Sequence, residues 1–171
     1  LSATPFPSGV KNVPVEISEA ITPIVIWRKD FRIDSGGPGA HRGGLGQTME
    51  ITNREEAPFG IHAVFERIKF PPQGRDGGSA GMAGKLRLGS GVKLKGKGFQ
   101  VIPNGESLII EMPGGGGFGD PITRNPLSVE KDVRQQLVSQ NKAKTIYRVA
   151  FHDDLSIDAK RTAALRAKTT E

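Results

Sequence analysis

The feature that most constrains this chain is where its glycines fall. Of 171 residues, 23 are glycine and 12 are proline, and the glycines cluster. Asp34 to Gly46 reads DSGGPGAHRGGLG, Gly74 to Gly84 forms a second loop, and Gly114 to Gly119 is glycine except for Phe118. Residues without a Cβ reach φ > 0 and let neighbouring backbone come close, but they lose the most freedom on folding. Long helices are a poor home for such runs. The expectation is a chain of short strands joined by many turns.

The segments between the clusters carry strand patterns. Ile21 to Phe31 is expected as a strand around the apolar run Ile24-Val25-Ile26-Trp27. Gln47 to Asn53 puts Met49 and Ile51 on one face. Phe59 to Phe70 alternates until Pro71 and Pro72 stop it, with Glu66, Arg67 and Lys69 either lining a pocket or forming a surface ladder. Leu86 to Leu94 fits a strand or hairpin about Gly89-Ser90-Gly91. Phe99 to Ile102 and Leu108 to Ile110 are further strands, separated by the turn Pro103-Asn104-Gly105. About six strands and no helix before Met112 predict a mainly β structure with sandwich- or barrel-like antiparallel sheets.

Beyond that point the pattern changes. Asn125-Pro126 is an N-cap followed by proline at the first helical position, and Val129, Val133 and Leu137 form a helical stripe ending at Ser139-Gln140-Asn141. Thr145 to Phe151 is expected as a strand, and a helix capped by Ser156 to reach about Lys168. The chain is thus α+β overall: a glycine-rich β domain over residues 1–122 and a small helix-strand-helix α/β tail over residues 123–171. Leu1 to Pro14, with three prolines, is expected to be extended and irregular.

Composition narrows the function classes. The formal charge of +6 permits contact with anionic partners, but zinc-finger spacing, aromatic-rich RNP-like strands and long basic helices are missing, which argues against nucleic acid. The basic stretch Lys85, Arg87, Lys93, Lys95 and Lys97 is either a solvated loop or edge-strand face or a site for an acidic partner. No cysteine is present, so disulfides and thiolate chemistry are excluded. No apolar run approaches the roughly 20 residues of a membrane span, and Leu1 to Val10 does not read as a signal peptide. A cytoplasmic protein with no membrane partner is expected. Without an initiator Met, the sequence reads as starting inside something longer or as processed.

Catalytic motifs fail one by one. Gly78 to Leu86 does not match a P-loop in spacing and lacks the hydroxyl for Mg²⁺. Gly114, Gly116 and Gly119 fit G-x-G-x-x-G, but Asp120-Pro121 follows where a dinucleotide site needs a helix. Ser90 has Leu88 where a nucleophile elbow needs glycine. His41, His62 and His152 show no metal spacing, and His152-Asp153-Asp154 reads as a turn or a weak cation contact. No catalytic residue and no metal ligand is assigned. The remaining candidates are the close-approach glycines Gly36, Gly37, Gly43, Gly44, Gly114, Gly115, Gly116, Gly117 and Gly119. Arg42, with Gln47 nearby, is the candidate anion contact; the alternative is that Arg42 bonds loop carbonyls or Asp34.

Four motifs in order resemble one family. Val13-Pro14-Val15-Glu16, the run Asp34 to Gly46, Phe70-Pro71-Pro72-Gln73-Gly74 with Gly77-Gly78, and Met112 to Pro121 resemble the N-x-P-V-E segment, the D-S-G-G loop, the F-P-P loop and the P-G-G-G-G-Y-G-D-P signature of hydantoinase B/oxoprolinase-type subunits. Asp132-Val133, Val138-Ser139 and Tyr147 also fall where that family has D-V, V-S and a tyrosine. Phe118 replaces the usual tyrosine, Pro38 an alanine, and Arg148 a glycine. The resemblance implies the C-terminal region of a B-type subunit of an ATP-dependent cyclic-amide hydrolase, inactive alone. Its alternatives are a non-catalytic subunit-docking module or a component of an ATP-dependent ketone carboxylase. It further implies a hetero-oligomer with an A-type subunit that binds ATP and Mg, an upstream B-type region that holds the catalytic metal, and no cofactor on these residues.

Overall fold

The computed structural model describes residues 13–167. It contains antiparallel sheets and short helices. Helix α1 spans Val15–Ile21, and β1 (Ile24–Phe31), β2 (Gln47–Asn53), β3 (Phe59–Val64), β4 (Lys85–Leu88), β5 (Lys97–Ile102) and β6 (Leu108–Glu111) follow. A 3-10 turn at Pro121–Thr123 leads to α2 (Pro126–Arg134), α3 (Gln140–Thr145) and α4 (Ala159–Ala167).

Four strands form one sheet in the order β1-β2-β6-β4, and β3 pairs with β5 in a second. All of these ladders are antiparallel, and no barrel closes. Leu88, Leu108 and Ile110 from the first sheet and Ile102 from the second share one apolar core, flanked by Met49, Ile51, Phe59, Ile61 and Phe65. The alternation read from the sequence decides this: Phe59, Ile61 and Ala63 turn toward the core. In β1 a bulge between Ile26 and Arg28 breaks the register at Trp27. The Trp27 ring is left 69% exposed, its Nε1 donating to Thr52 Oγ1 over 2.8 Å.

The β architecture agrees with expectation, and several local expectations do not. Helix α1 occupies the segment before β1, so a helix does precede Met112 and the strand begins at Ile24, not Ile21. β3 stops at Val64. Arg67 adopts φ 60°, which no strand tolerates, so Glu66 to Phe70 leave the ladder.

The tail holds three α-helices and no strand among its described residues. Asn125 Oδ1 accepts from Leu127 N at 2.9 Å and Pro126 opens α2, as the sequence requires. The helix ends early because Gln136 turns left-handed, with φ 56°. Gln136 N then bonds Val133 O at 3.0 Å and Leu137 N bonds Asp132 O at 2.8 Å, a Schellman closure that removes Leu137 from the helix. Ser139 caps α3 instead of ending α2, accepting from Lys142 N at 3.2 Å. The expected strand Thr145 to Phe151 is therefore helix end and irregular chain, and Arg148, at φ 53°, breaks its extension. The last helix starts at Ala159; Asp158 Oδ1, not Ser156, accepts from Arg161 N at 2.9 Å. Val129, Val133, Val138, Ala143, Tyr147 and Val149 make a second core. Most of the extended segment expected over Leu1 to Pro14, and the helix end at Lys168, lie outside the described residues.

Candidate functional site

The glycine clusters converge on one object. Gly114 to Gly119 runs as a central extended segment, and the loops 35–46 and 72–84 wrap it. Its backbone donors go outward: Gly114 N to Met82 O (3.1 Å), Gly115 N to Gly44 O (2.8 Å), Gly117 N to Ser79 O (2.9 Å), Phe118 N to His41 O (3.0 Å) and Gly119 N to Arg75 O (3.0 Å). It also accepts from Gly37 N (2.8 Å), Arg75 N (2.9 Å), His41 N (2.9 Å) and Ala40 N (3.1 Å). No helix or sheet explains this; it is a bundle of extended chains that share hydrogen bonds in several directions. At three of its positions only glycine permits the spacing. A Cβ on Gly114, Gly116 or Gly117 would lie closer than 3.0 Å to the carbonyls of Ser35, Gln73 and Pro38 respectively. Gly36, Gly37 and Gly43 are equally closed off by backbone, and Gly119 has φ 74°.

The bundle is clamped by buried polar side chains. Ser35, fully buried, donates to Arg32 O and accepts from Gly46 N at 2.9 Å. Arg32 donates to Ala83 O at 2.7 Å and Met112 O at 3.2 Å, and pairs with Glu111 at 3.2 Å. Arg42 donates to Gly43 O at 2.9 Å and to Asp132 in α2 at 3.0 Å. Asp132 also takes Arg124 at 2.8 Å, while Arg124 donates to Ala40 O at 3.1 Å. Asp34 turns left-handed at φ 63°; its carboxylate accepts from Ser139 N (2.9 Å) and its carbonyl from Lys142 Nζ (2.8 Å). Tail and bundle are thus one bonded unit.

Tyr147 lies at the bottom of this joint. Its hydroxyl is buried and faces the Gly39 N–H without hydrogen-bond geometry. Burial pushes its acidity to higher pH, opposed by the nearby Arg124 and Arg42 guanidinium groups. Arg124 Nε and Arg166 Nε are buried without partners as well, and Arg166 donates instead to Arg124 O at 2.7 Å.

The close-approach glycines expected from the sequence sit in or against the bundle, with Gly44 contributing its carbonyl to Gly115. Arg42 is tied to Asp132 and a loop carbonyl, not to Asp34. Gln47 opens β2, half-buried, its carbonyl accepting from Met112 N at 2.7 Å. Next to it, Thr48 lines an open cleft of about 520 Å³ with Phe31, Ile33 and Leu137. His41 bridges to Phe118, and His62 lies on β3 with its ring centroid 4.9 Å from that of Phe99. Among the described residues, no three His, Asp or Glu side chains come together to hold a metal ion. No helix there is long and apolar enough to cross a membrane. Asp132, Arg124, Tyr147 and Arg166 form a cluster that the sequence did not bring together: Asp132 and Tyr147 entered it only as positions of the family resemblance, and Arg124 and Arg166 not at all. One signal was available: Asp132 lies on the apolar side of α2, beside Val129 and Val133, where an unpaired carboxylate is costly.

The description Hydantoinase B/oxoprolinase belongs to the family profile that matches residues 2–121. The chain belongs to the hydantoinase B/oxoprolinase family. It is 30% identical over 93% of its length to the B-type chain of a putative D-/L-hydantoinase from Pseudomonas sp. (strain NS671). It is 32% identical over 90% of its length to the beta chain of the caprolactamase from Pseudomonas jessenii. Among solved structures it is similar to the ATP-dependent caprolactamase of Pseudomonas jessenii, with a TM-score of 0.75 and 28% identity over 91% of this chain and 28% of that one. A nucleotide-free acetone carboxylase structure shares the fold, with a TM-score of 0.69 and 22% identity over 91% of this chain and 26% of that one. The chain spans 28% of the length of the curated relatives just named.

Proposed function

We propose that this chain is the C-terminal region of a B-type subunit of an ATP-dependent cyclic-amide hydrolase, inactive by itself. The observation that carries this is its likeness, over nine-tenths of its length, to subunits named for hydantoin and caprolactam, both cyclic amides. An amide is a poor electrophile, and phosphorylating its oxygen creates a leaving group. That chemistry demands Mg²⁺ and preorganised charges around ATP phosphates. The described residues do not fit a metal site, so no step is assigned to a metal or nucleotide here. In this reading ATP and Mg belong to an A-type partner and the catalytic metal to an upstream B-type region, in a cytoplasmic hetero-oligomer.

The role assigned to these residues is a stiff wall. Ser35, the serine buried in the bundle, has its hydroxyl engaged in structural bonds, donating to Arg32 O and accepting from Gly46 N. Backbone held by bonds in several directions moves little, which suits a surface against which another chain closes a pocket. Gln47 and the Thr48 cleft then lie at the edge of that wall. A direct anion contact by Arg42 requires it to exchange Asp132 for the substrate.

The test is ATP turnover with ε-caprolactam, hydantoin and 5-oxoproline. The chain alone should give none; the chain joined to the upstream region and mixed with an A-type subunit should turn over at least one. Turnover by the isolated chain overturns the proposal. ATP consumption that depends on bicarbonate and a ketone selects the carboxylase reading instead, and an assembly that forms without turning over any of these substrates selects the docking-module reading.

A further inference from the structure

The two-stranded sheet buries one face and leaves the other open. Phe59, Ile61, Ala63 and Ile102 turn inward to the shared core. The opposite register pairs are Gly60 with Val101, His62 with Phe99, and Val64 with Lys97. Every one of these six residues is exposed: Val64 at 77%, Phe99 at 60% and Val101 at 54%. Phe99 does not dangle. Its ring lies across Gly60, where a Cβ would meet Cε2 at 2.6 Å, and packs at 51° against His62.

Where β3 ends, the chain opens a cleft of about 480 Å³ lined by Phe65–Phe70, Gly96 and Lys97. Phe65, Ile68 and Phe70 give it apolar walls, and Arg67, Lys69 and Lys97 give it charge. Glu66 is the one acid in the lining, and it pairs with Lys97. Lys69 Nζ stands 5.3 Å from the centroid of the Phe70 ring, which is 69% exposed. Exposed Lys93 and Lys95 precede β5. Six apolar side chains, three on the open sheet face and three in the cleft, thus adjoin a cleft lined by three cations and one carboxylate.

That composition is the anatomy of a protein interface, with an apolar centre and a charged rim. The two faces of such a contact must be opposite in sign, positive against negative. We propose that the outer face of β3–β5 and the cleft at its end dock an acidic protein segment, one in which Asp or Glu side chains flank apolar ones. This rests on the reading that the chain works docked to other protein, and not on which reaction the assembly performs. An aliphatic centre made by Val64 and Val101 suits a protein better than a nucleic acid, whose backbone calls for a continuous track of cations.

The test uses labelled synthetic peptides of one apolar pattern with Glu, Gln or Lys at the polar positions, and an oligothymidylate, titrated against the full chain by fluorescence anisotropy. The Glu peptide should bind about tenfold more tightly than the other two peptides and weaken as salt rises. Lys69→Glu with Lys97→Glu should reduce its affinity about tenfold, and Phe99→Ala should do so without removing the salt dependence. Circular dichroism melts of these exposed-site variants check that they fold. Equal binding of the three peptides, tighter binding of the oligonucleotide, or an unchanged double variant overturns the proposal, as does sedimentation showing that this face pairs two copies of the chain. Because no turnover is read, the enzymatic reading stands or falls separately.

Discussion

Replacing Gly116 with alanine, with Gly115→Ala beside it, tests whether the glycine bundle is as tight as its geometry. The two residues are neighbours in one run, yet their surroundings differ. A Cβ on Gly116 would come closer than 3.0 Å to the Gln73 carbonyl, backbone that cannot rotate aside. A Cβ on Gly115 would meet Gly44 N at 3.2 Å and nothing else nearer than 3.7 Å. In the first variant the central segment must shift away from Gln73, which strains the bonds from Arg75 N to Gly117 O (2.9 Å) and from Gly119 N to Arg75 O (3.0 Å). Overpacking costs about 1–3 kcal/mol and each lost bond about 1 kcal/mol, so Gly116→Ala should cost about 3–5 kcal/mol. At about 2–4 °C per kcal/mol for a chain of this size, the melting point should fall by about 6–20 °C. Gly115→Ala needs a shift of only a few tenths of an ångström, and alanine loses less chain entropy on folding, so the net cost should stay under about 1 kcal/mol. The assay is thermal and urea unfolding followed by far-ultraviolet circular dichroism. Equal losses in the two variants, or a neutral Gly116→Ala, would refute the close-packed reading of the bundle.

Asp132→Asn removes the carboxylate shared by Arg42 and Arg124 and leaves two buried guanidinium groups facing each other; a loss of about 3 kcal/mol is expected in urea unfolding. Ser35→Ala strips Gly46 N of its buried acceptor and should cost about 1–3 kcal/mol, read the same way. Tyr147→Phe deletes a hydroxyl with no hydrogen bond of standard geometry, so stability at neutral pH should be unchanged or slightly higher. The same variant fixes a pH dependence. The folded phenol titrates above its usual value of 10.0, so the unfolded chain releases that proton first. Its share of stability is complete below that value and is lost as pH rises past it toward the folded one. The wild type should therefore lose more stability above pH 10 than Tyr147→Phe does, and parallel alkaline profiles would contradict this.

Much of the sheet was legible because strand periodicity is local. Met49 with Ile51, and Phe59 with Ile61, alternate as a half-buried strand must, and they line the core. Helix α1 was not, because seven residues after Pro14 with no side-chain cap leave no signal longer than the apolar run that follows. The tail misled for a related reason. Tyr147, Val149 and Phe151 alternate like a strand, and Tyr147 and Val149 are buried, but burial at period two does not require a ladder partner. The positive φ of Arg148 between them forbids one. At the site, the glycine runs announced close approach without naming what approaches. The ion pair between Arg42 and Asp132 joins residues 90 apart in sequence, which no periodic pattern encodes.

That long-range pair also explains why a tail is there at all. The bundle buries almost no apolar side chain at its centre, since its central segment is glycine and Phe118 is half exposed. Hydrogen bonds alone contribute modest net stability, and glycine is costly to order. The missing term comes from outside: Asp34, Arg42 and Arg124 tie the glycine loops and the turn before α2 to helices that own a valine-rich core. Hydrophobic free energy gathered at Val129, Val133 and Val149 is thereby spent on holding backbone several residues away in one conformation. It follows that loosening the Val129 core should raise amide exchange in Gly114 to Gly119 before it disturbs β2 and β6.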